Sequence, residues 1–467
     1  MDNKFTTVAM AIVKIEIRTM GLDTFSPFLL FLLKRLDMKK TTDNLNYLIF
    51  QKYTMKLSCM LILCFVFTAC GQVENAPDRT FEHEITEQVS IMESKKTETI
   101  PIVEEILVGA ESLDEYLPKL IGKSVAIVGN QTSCIQQKHL VDTLLEKNVN
   151  IVRAFCPEHG FRGAEDAGKK IENSKDEKTG ISIISLYGSN KKPTSEQLKD
   201  LDVVLFDIQD VGVRFYTYIS TLHYVMEACA ENKVKLIVLD RPNPNAHYID
   251  GPVLDPKYKS FVGMHEVPIV YGMTIGEYAR MVNGEGWLSN GIRCDLEVIT
   301  LKNYTHNSVY SLPIPPSPNL KSDRAVALYP SLCLFEGTTV SVGRGTDRPF
   351  EQFGHPNFPK QLYKFKPKSM AGASTPLHKD VWCYGFDLRP QPLPLSELNL
   401  HYLMEAKKNL SSGIVFINRS SFFDKLAGTN TLRLQLLAGK SEREIKASWE
   451  KDLKTFKEIR AKYLLYD

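Results

Sequence analysis

Five short apolar runs, at residues 125–128, 150–156, 181–186, 203–206 and 236–239, are spaced through the middle of the chain. Between them lie stretches patterned as helices, at 137–147, 194–200 and 218–232. An apolar run of this length bounded by breakers reads as a strand buried on both faces. Strands alternating with helices build a parallel sheet through right-handed crossovers, so the fold class is α/β. Each run ends in polar or glycine residues, and in a parallel sheet those ends share the rim where ligands bind. Asn130, Glu158, Tyr187, Asp207, Asp210, Arg214, Asp240 and Arg241 are therefore expected to converge, although they are far apart in the chain. Asn243 and Pro244 read as turn formers.

The second run leads directly into Pro157-Glu158-His159-Gly160-Phe161-Arg162-Gly163. Two glycines break regular structure around a carboxylate, an imidazole and a guanidinium, groups that donate a proton, orient a donor and bind an anion. Glu158 is the first choice for a catalytic carboxyl, with His159 and Phe161 tuning it.

Past Pro252 the periodicity weakens. Thr274 reads as the N-cap of a helix with Glu277 three residues on. Residues 313–318 are too rich in proline for a central strand and mark a crossing segment near a domain boundary at about residue 305. Gly343 and Gly345 lack the third glycine of a nucleotide loop, and Pro349 follows. That stretch reads instead as a loop presenting Glu336 and Arg344 to a cleft. Ile445, Trp449, Leu453, Phe456, Ile459 and Tyr463 fall at helical steps, one buried face, with Trp449 in the core rather than under a sugar.

The net charge of +2, with no basic stripe, argues against a nucleic-acid partner. Met55-Lys56, the apolar residues 57–67 and Thr68-Ala69-Cys70-Gly71 have the three parts of a secretory signal. They resemble a bacterial lipoprotein signal, with Cys70 the lipidated residue. Residues 1–70 are then upstream segment and signal, and the expected location is the cell envelope, anchored through lipid or periplasmic. Residues 71–105 are polar and acidic and read as a disordered tether. Six of the nine cysteines lie beyond Cys70, scattered, and read as buried small hydrophobes. No metal-ligand spacing is visible.

Together the motifs resemble the NamZ family of exo-β-N-acetylmuramidases. The resemblance rests on Gly129-Asn130-Gln131-Thr132, the 157–163 segment, the run from Asp207 to Tyr218, Asp240-Arg241-Pro242-Asn243-Pro244, Gly251 to Asp255, Leu334 to Thr338, and Gly343 to Thr346. Tyr271 and Thr339 depart from it, where the family suggests histidine and asparagine. The resemblance implies a Rossmann-like N-terminal domain at 106–305, a smaller α+β domain at 306–467, and a cleft between them. It implies removal of N-acetylmuramic acid from the non-reducing end of peptidoglycan fragments, with no cofactor. Glycosidic cleavage uses two carboxyls, and Asp210, Asp207 or Glu336 would partner Glu158. Arg162, Arg214 and Arg344 are candidates for the lactyl carboxylate of muramic acid, Arg214 foremost. Tyr216 and Tyr218 are candidates to stack on a sugar ring, and Asn130, Asp207 and Asp240 to bind substrate from the rim. The rival reading is a non-catalytic sugar- or muropeptide-binding lipoprotein, which would not need a carboxylate pair. An NAD-linked oxidoreductase is excluded by the missing glycine fingerprint after the first strand.

Overall fold

Residue parity along each strand decides which layer its side chains join, because successive side chains point to opposite faces. The computed structural model describes residues 104–158, 160–162 and 174–467. Cys70 and His159 lie outside the described residues. In chain order the strands are β1 (Ser124–Gly129), β2 (Cys134–Ile135), β3 (Lys138–His139), β4 (Asn150–Cys156), β5 (Ser174–Lys175), β6 (Ser182–Ser185), β7 (Val203–Asp207), β8 (Lys235–Leu239), β9 (Leu296–Ile299), β10 (Gln352–His355), β11 (Tyr363–Phe365) and β12 (Cys383–Asp387). Seven form one sheet in the order β5-β6-β4-β1-β7-β8-β9. All its pairings are parallel except that of the edge strand β5.

Ala126, Val128, Val204, Phe206, Leu236 and Val238 pack on one face with the helix Tyr218–Asn232. Val125, Ile127, Val203, Leu205, Ile237 and Leu239 pack on the other, with the helices Leu113–Leu120 and Leu140–Glu146. With both faces covered, the central strands are apolar throughout, as the sequence pattern required. The smaller C-terminal part carries the antiparallel sheet β10-β12-β11 and then helices. The α/β class and the order of large parallel sheet before smaller antiparallel part agree with the sequence reading. Among the described residues no helix is long and apolar enough to cross a membrane.

Local differences have local causes. The helix expected from residue 137 starts at Leu140, because β2 and β3 close a small hairpin first, with Gln136 in the left-handed region at φ 53°. A sixth parallel strand, β9, escaped notice because Leu-Glu-Val-Ile is short and only partly buried at the sheet edge. The last helical stretch breaks at Ser448 and Trp449 into Glu442–Ala447 and Glu450–Arg460. Ile445, Trp449 and Phe456 are nevertheless buried in the core. Thr274 caps the helix Ile275–Gly284 through a reciprocal box with Glu277. The six cysteines are free thiols, five of them buried.

Candidate active site

Strand register brings the first pair of site residues together. Cys156 on β4 sits opposite Ser185 on β6, and the Leu186 amide donates to the Cys156 carbonyl at 2.8 Å. Two residues further along each strand end, Glu158 and Tyr187 face the same cavity. Burial, then the charge of the neighbouring Glu158, push the Tyr187 phenol up to about 12.

The cavity holds about 460 Å³. Its aromatic walls include Phe215, Tyr216, Tyr218, Tyr329 and Phe350. Tyr216 meets Tyr218 edge-on at 4.7 Å, and Tyr329 meets Phe350 likewise at 5.0 Å. Both Tyr216 and Tyr218 donate their hydroxyls to the Pro316 carbonyl, at 2.8 and 3.4 Å, so the proline-rich segment is tied to the sheet rim. From the C-terminal part come Glu336 and Arg344, with Arg344 Nε donating to Glu336 Oε1 at 2.8 Å and Nη2 reaching the same oxygen. The Arg344 guanidinium also lies 5.0 Å from the Phe350 ring centre. The loop Gly372 to Leu377 completes the wall. Two larger depressions, about 650 Å³ beside His306 and Arg460 and about 610 Å³ beside Trp287 and Trp449, hold none of the strand-end residues. Of these three cavities, the smaller one is where the strand-end residues Glu158 and Tyr187 meet.

Of the residues proposed from sequence, Glu158, Tyr187, Tyr216, Tyr218, Glu336 and Arg344 line this cavity. The other described ones do not. Asn130 is fully buried, accepts from the Thr132 amide at 2.9 Å, and donates to the Tyr218 hydroxyl at 3.0 Å. It holds an aromatic wall rather than a ligand. Asp207 is closed in a buried pair with Arg241, at 2.5 and 2.9 Å. Asp240 accepts from Thr274, the Gly276 amide and Tyr466, and burial pushes its carboxyl up to about 7. Asp210 accepts from the Gly212 amide at 2.8 Å and from the Tyr271 hydroxyl, while its Oδ1 has no partner. Burial pushes Asp210 up to about 6.

Two arginine assignments need correction. Arg214 is fully buried and pairs with neither Asp207 nor Asp210. Its guanidinium donates to the carbonyls of Pro252, Val267, Leu426 and Ala427 at 2.6–3.0 Å, tying the N-terminal loops to the C-terminal part. Arg162 binds Asp176 at 2.6 and 2.7 Å and Asp142 at 3.2 Å. It lines a different depression, with Gln131, Cys134 and Lys178. Sequence reasoning missed Tyr329 and Phe350. Tyr329 sits in the helix Asp323–Leu332 and Phe350 in a loop at φ 61°, and neither has a strand-end signal beside it.

A family model described as exo-beta-N-acetylmuramidase NamZ, N-terminal, matches residues 125–324, and its C-terminal counterpart matches residues 327–466. The peptidoglycan beta-N-acetylmuramidase NamZ of Bacillus subtilis (strain 168) is 38% identical over 375 residues, covering 76% of this chain and 89% of that protein. Two crystal structures of DUF1343 family proteins from Bacteroides fragilis NCTC 9343 share the fold. One is 48% identical with a TM-score of 0.71, the other 31% identical with a TM-score of 0.66, and each alignment covers 78% of this chain and 99% of the solved one.

Proposed function

The chain belongs to the NamZ family of exo-β-N-acetylmuramidases, glycoside hydrolases of peptidoglycan, and we propose that its reaction takes place in the cavity shared by Glu158, Glu336 and Arg344. The reaction is exo-acting hydrolysis that removes N-acetylmuramic acid from peptidoglycan fragments in cell-wall recycling. One observation supports the placement. Among the described residues lining the cavity, Glu158 and Glu336 are the only carboxylates and Arg344 the only guanidinium or ammonium.

Those charges fit the substrate. Glycosidic cleavage needs an acid at the leaving oxygen and a second carboxylate across the bond. Glu158, at a sheet strand end beside a phenol donor, takes the acid role. Glu336 is the second carboxylate, held by Arg344. Muramic acid differs from glucosamine by a lactyl ether ending in a carboxylate, which a guanidinium binds through charge-assisted hydrogen bonds. The two Arg344 bonds to Glu336 use Nε and Nη2, which leaves Nη1 for that group. Tyr216 and its aromatic neighbours supply the apolar surface on which a sugar ring packs.

The test is a chromogenic β-N-acetylmuramide with Glu158→Gln. Turnover is expected to fall by on the order of 10²-fold or more with the melting temperature held, because an acid catalyst is lost without a change of shape. Near-normal turnover on a substrate with a poor leaving group would remove Glu158 from the role. The site of action proposed is the cell envelope, with Cys70 lipidated. Mass spectrometry of the native N-terminal peptide is expected to show acylated Cys70, and an unmodified peptide running through it would exclude the anchor.

A further inference from the structure

We propose that residues 313–320 form a strap that closes the cavity beyond O4 of the bound muramic acid, and that this closure confines the enzyme to chain ends. This rests on the placement of the reaction in the cavity of Glu158 and Glu336. The segment reads Pro313-Ile314-Pro315-Pro316-Ser317-Pro318-Asn319-Leu320. Its four prolines lock φ and remove amide donors, so it joins no sheet and stays stiff. Its far end turns tightly, with the Asn319 amide donating to Ser317 Oγ at 3.2 Å and the Leu320 amide to the Ser317 carbonyl at 3.1 Å. Ser317, Asn319 and Leu320 are buried and line the cavity.

Ties on two sides make the segment a bridge. On the side of the sheet rim, Gln131 follows the last residue of β1 by two, and its Nε2 donates to the carbonyls of Pro315 and Pro316, each at 3.2 Å. The hydroxyls of Tyr216 and Tyr218 reach the same Pro316 carbonyl. On the other side, Asn319 Nδ2 donates to the Gly372 carbonyl at 2.7 Å. Pro318 also packs on Gly372, where an added Cβ would stand 2.5 Å from the proline Cβ. The loop around Gly372 belongs to the Arg344 wall. The Lys368 amide donates to the Gly345 carbonyl at 2.7 Å, and Pro376 packs on Gly345.

The rim brings Glu158 to the cavity, and the opposite wall brings Glu336 and Arg344. A glycan held between the two carboxylates runs along the cleft that separates these walls. A segment fastened to both walls crosses that path, so the cleft has one open end. The volume of about 460 Å³ is that of a site for a small ligand rather than a groove for a long chain. The leaving glycan takes the open end, which sets O4 of muramic acid against the strap.

The test compares nitrophenyl β-glycosides of N-acetylmuramic acid with O4 free and with O4 methylated. The wild type is expected to lose about ten- to two-hundredfold in kcat/KM on the methylated one, the discrimination that a packed wall exerts on one added carbon. Two variants loosen the strap away from the carboxylates. Gln131→Ala combined with Asn319→Ala removes ties on both sides, and a Gly-Gly insertion between Pro313 and Ile314 lengthens the approach. In both, the penalty for methylation should shrink to about threefold or less. On glycan chains the wild type should release only the monosaccharide, whereas the variants should also release longer fragments by internal cleavage. Melting temperature and turnover of the free glycoside report that each variant is folded. A penalty unchanged in folded variants, or a wild type that hydrolyses both glycosides alike, would overturn the role of the strap. An active Glu158→Gln enzyme would instead overturn the placement of the reaction in this cavity.

Discussion

Replacing Arg214 by methionine should unfold the enzyme more readily without changing which sugar it prefers. Four backbone carbonyls, those of Pro252, Val267, Leu426 and Ala427, would lose the guanidinium donor, and of these Val267 keeps the Leu254 amide at 3.2 Å. Each buried acceptor left unpaired costs about 1–3 kcal/mol. Against this stands the burial of the guanidinium, which its surroundings penalise enough to lower its pKa to about 9. Removing the charge returns part of that penalty. The net resembles the breaking of a buried ionic network by removal of one member, about 3–5 kcal/mol. In a compact unit of this size that is a fall of about 4–7 °C in melting temperature. The neighbourhood is built around the guanidinium. Gly428 adopts φ 77°, and a Cβ there would stand 2.5 Å from Arg214 Nη2. The assay is thermal unfolding alongside turnover of the muramide and the glucosaminide. Activity should fall in parallel on both as the folded fraction falls. An unchanged melting temperature with selective loss on the muramide would refute this account and return Arg214 to the substrate.

Arg344→Met is expected to cost about tenfold or more in kcat/KM on the muramide and little on any residual glucosaminide activity, because only the first sugar carries a carboxylate to pair. Equal losses on both would show that Arg344 serves only to hold Glu336. Asp210 has a folded-state pKa raised to about 6, above an ordinary carboxyl. Its stabilising contribution is present at pH below about 4 and is lost as pH rises through about 6. Asp210→Asn keeps the acceptor for Gly212 and Tyr271 and does not ionise, so its melting temperature should gain on the wild type between pH 4 and pH 7. A difference between the two proteins that stays constant across that range would contradict the shift.

The architecture was legible because parallel strands covered on both faces must be apolar at every position. Val203–Asp207, buried at all five residues, is the clearest case. The rim followed from the same argument, since polar residues can only appear where the apolar run stops. Strand β9 shows where this fails. At the sheet edge one side of the strand is less covered, Glu297 is tolerated, and the run shrinks below recognition.

Convergence on a rim, however, does not say which rim residues face a ligand. Asp207 and Arg241 are both strand-end residues, and each was as plausible a substrate contact as Glu158 until their mutual pairing removed them. That pairing depends on the lateral order of β7 and β8, which are neighbours in the sheet. Asp240 is removed by a tyrosine from the far C-terminus, Tyr466, and Arg214 by carbonyls more than two hundred residues downstream. A buried charge takes whatever partner the tertiary fold brings, because leaving it alone costs more than almost any arrangement that pairs it. The charged groups left for substrate are those the fold leaves on the cavity wall, and lateral strand order decides this. Glu158 shares the wall of the cavity with Tyr187, the residue that the adjacent strand end places beside it. An arginine on β6 at that place would bring the carboxylate a charged partner of the kind that Arg241 is to Asp207.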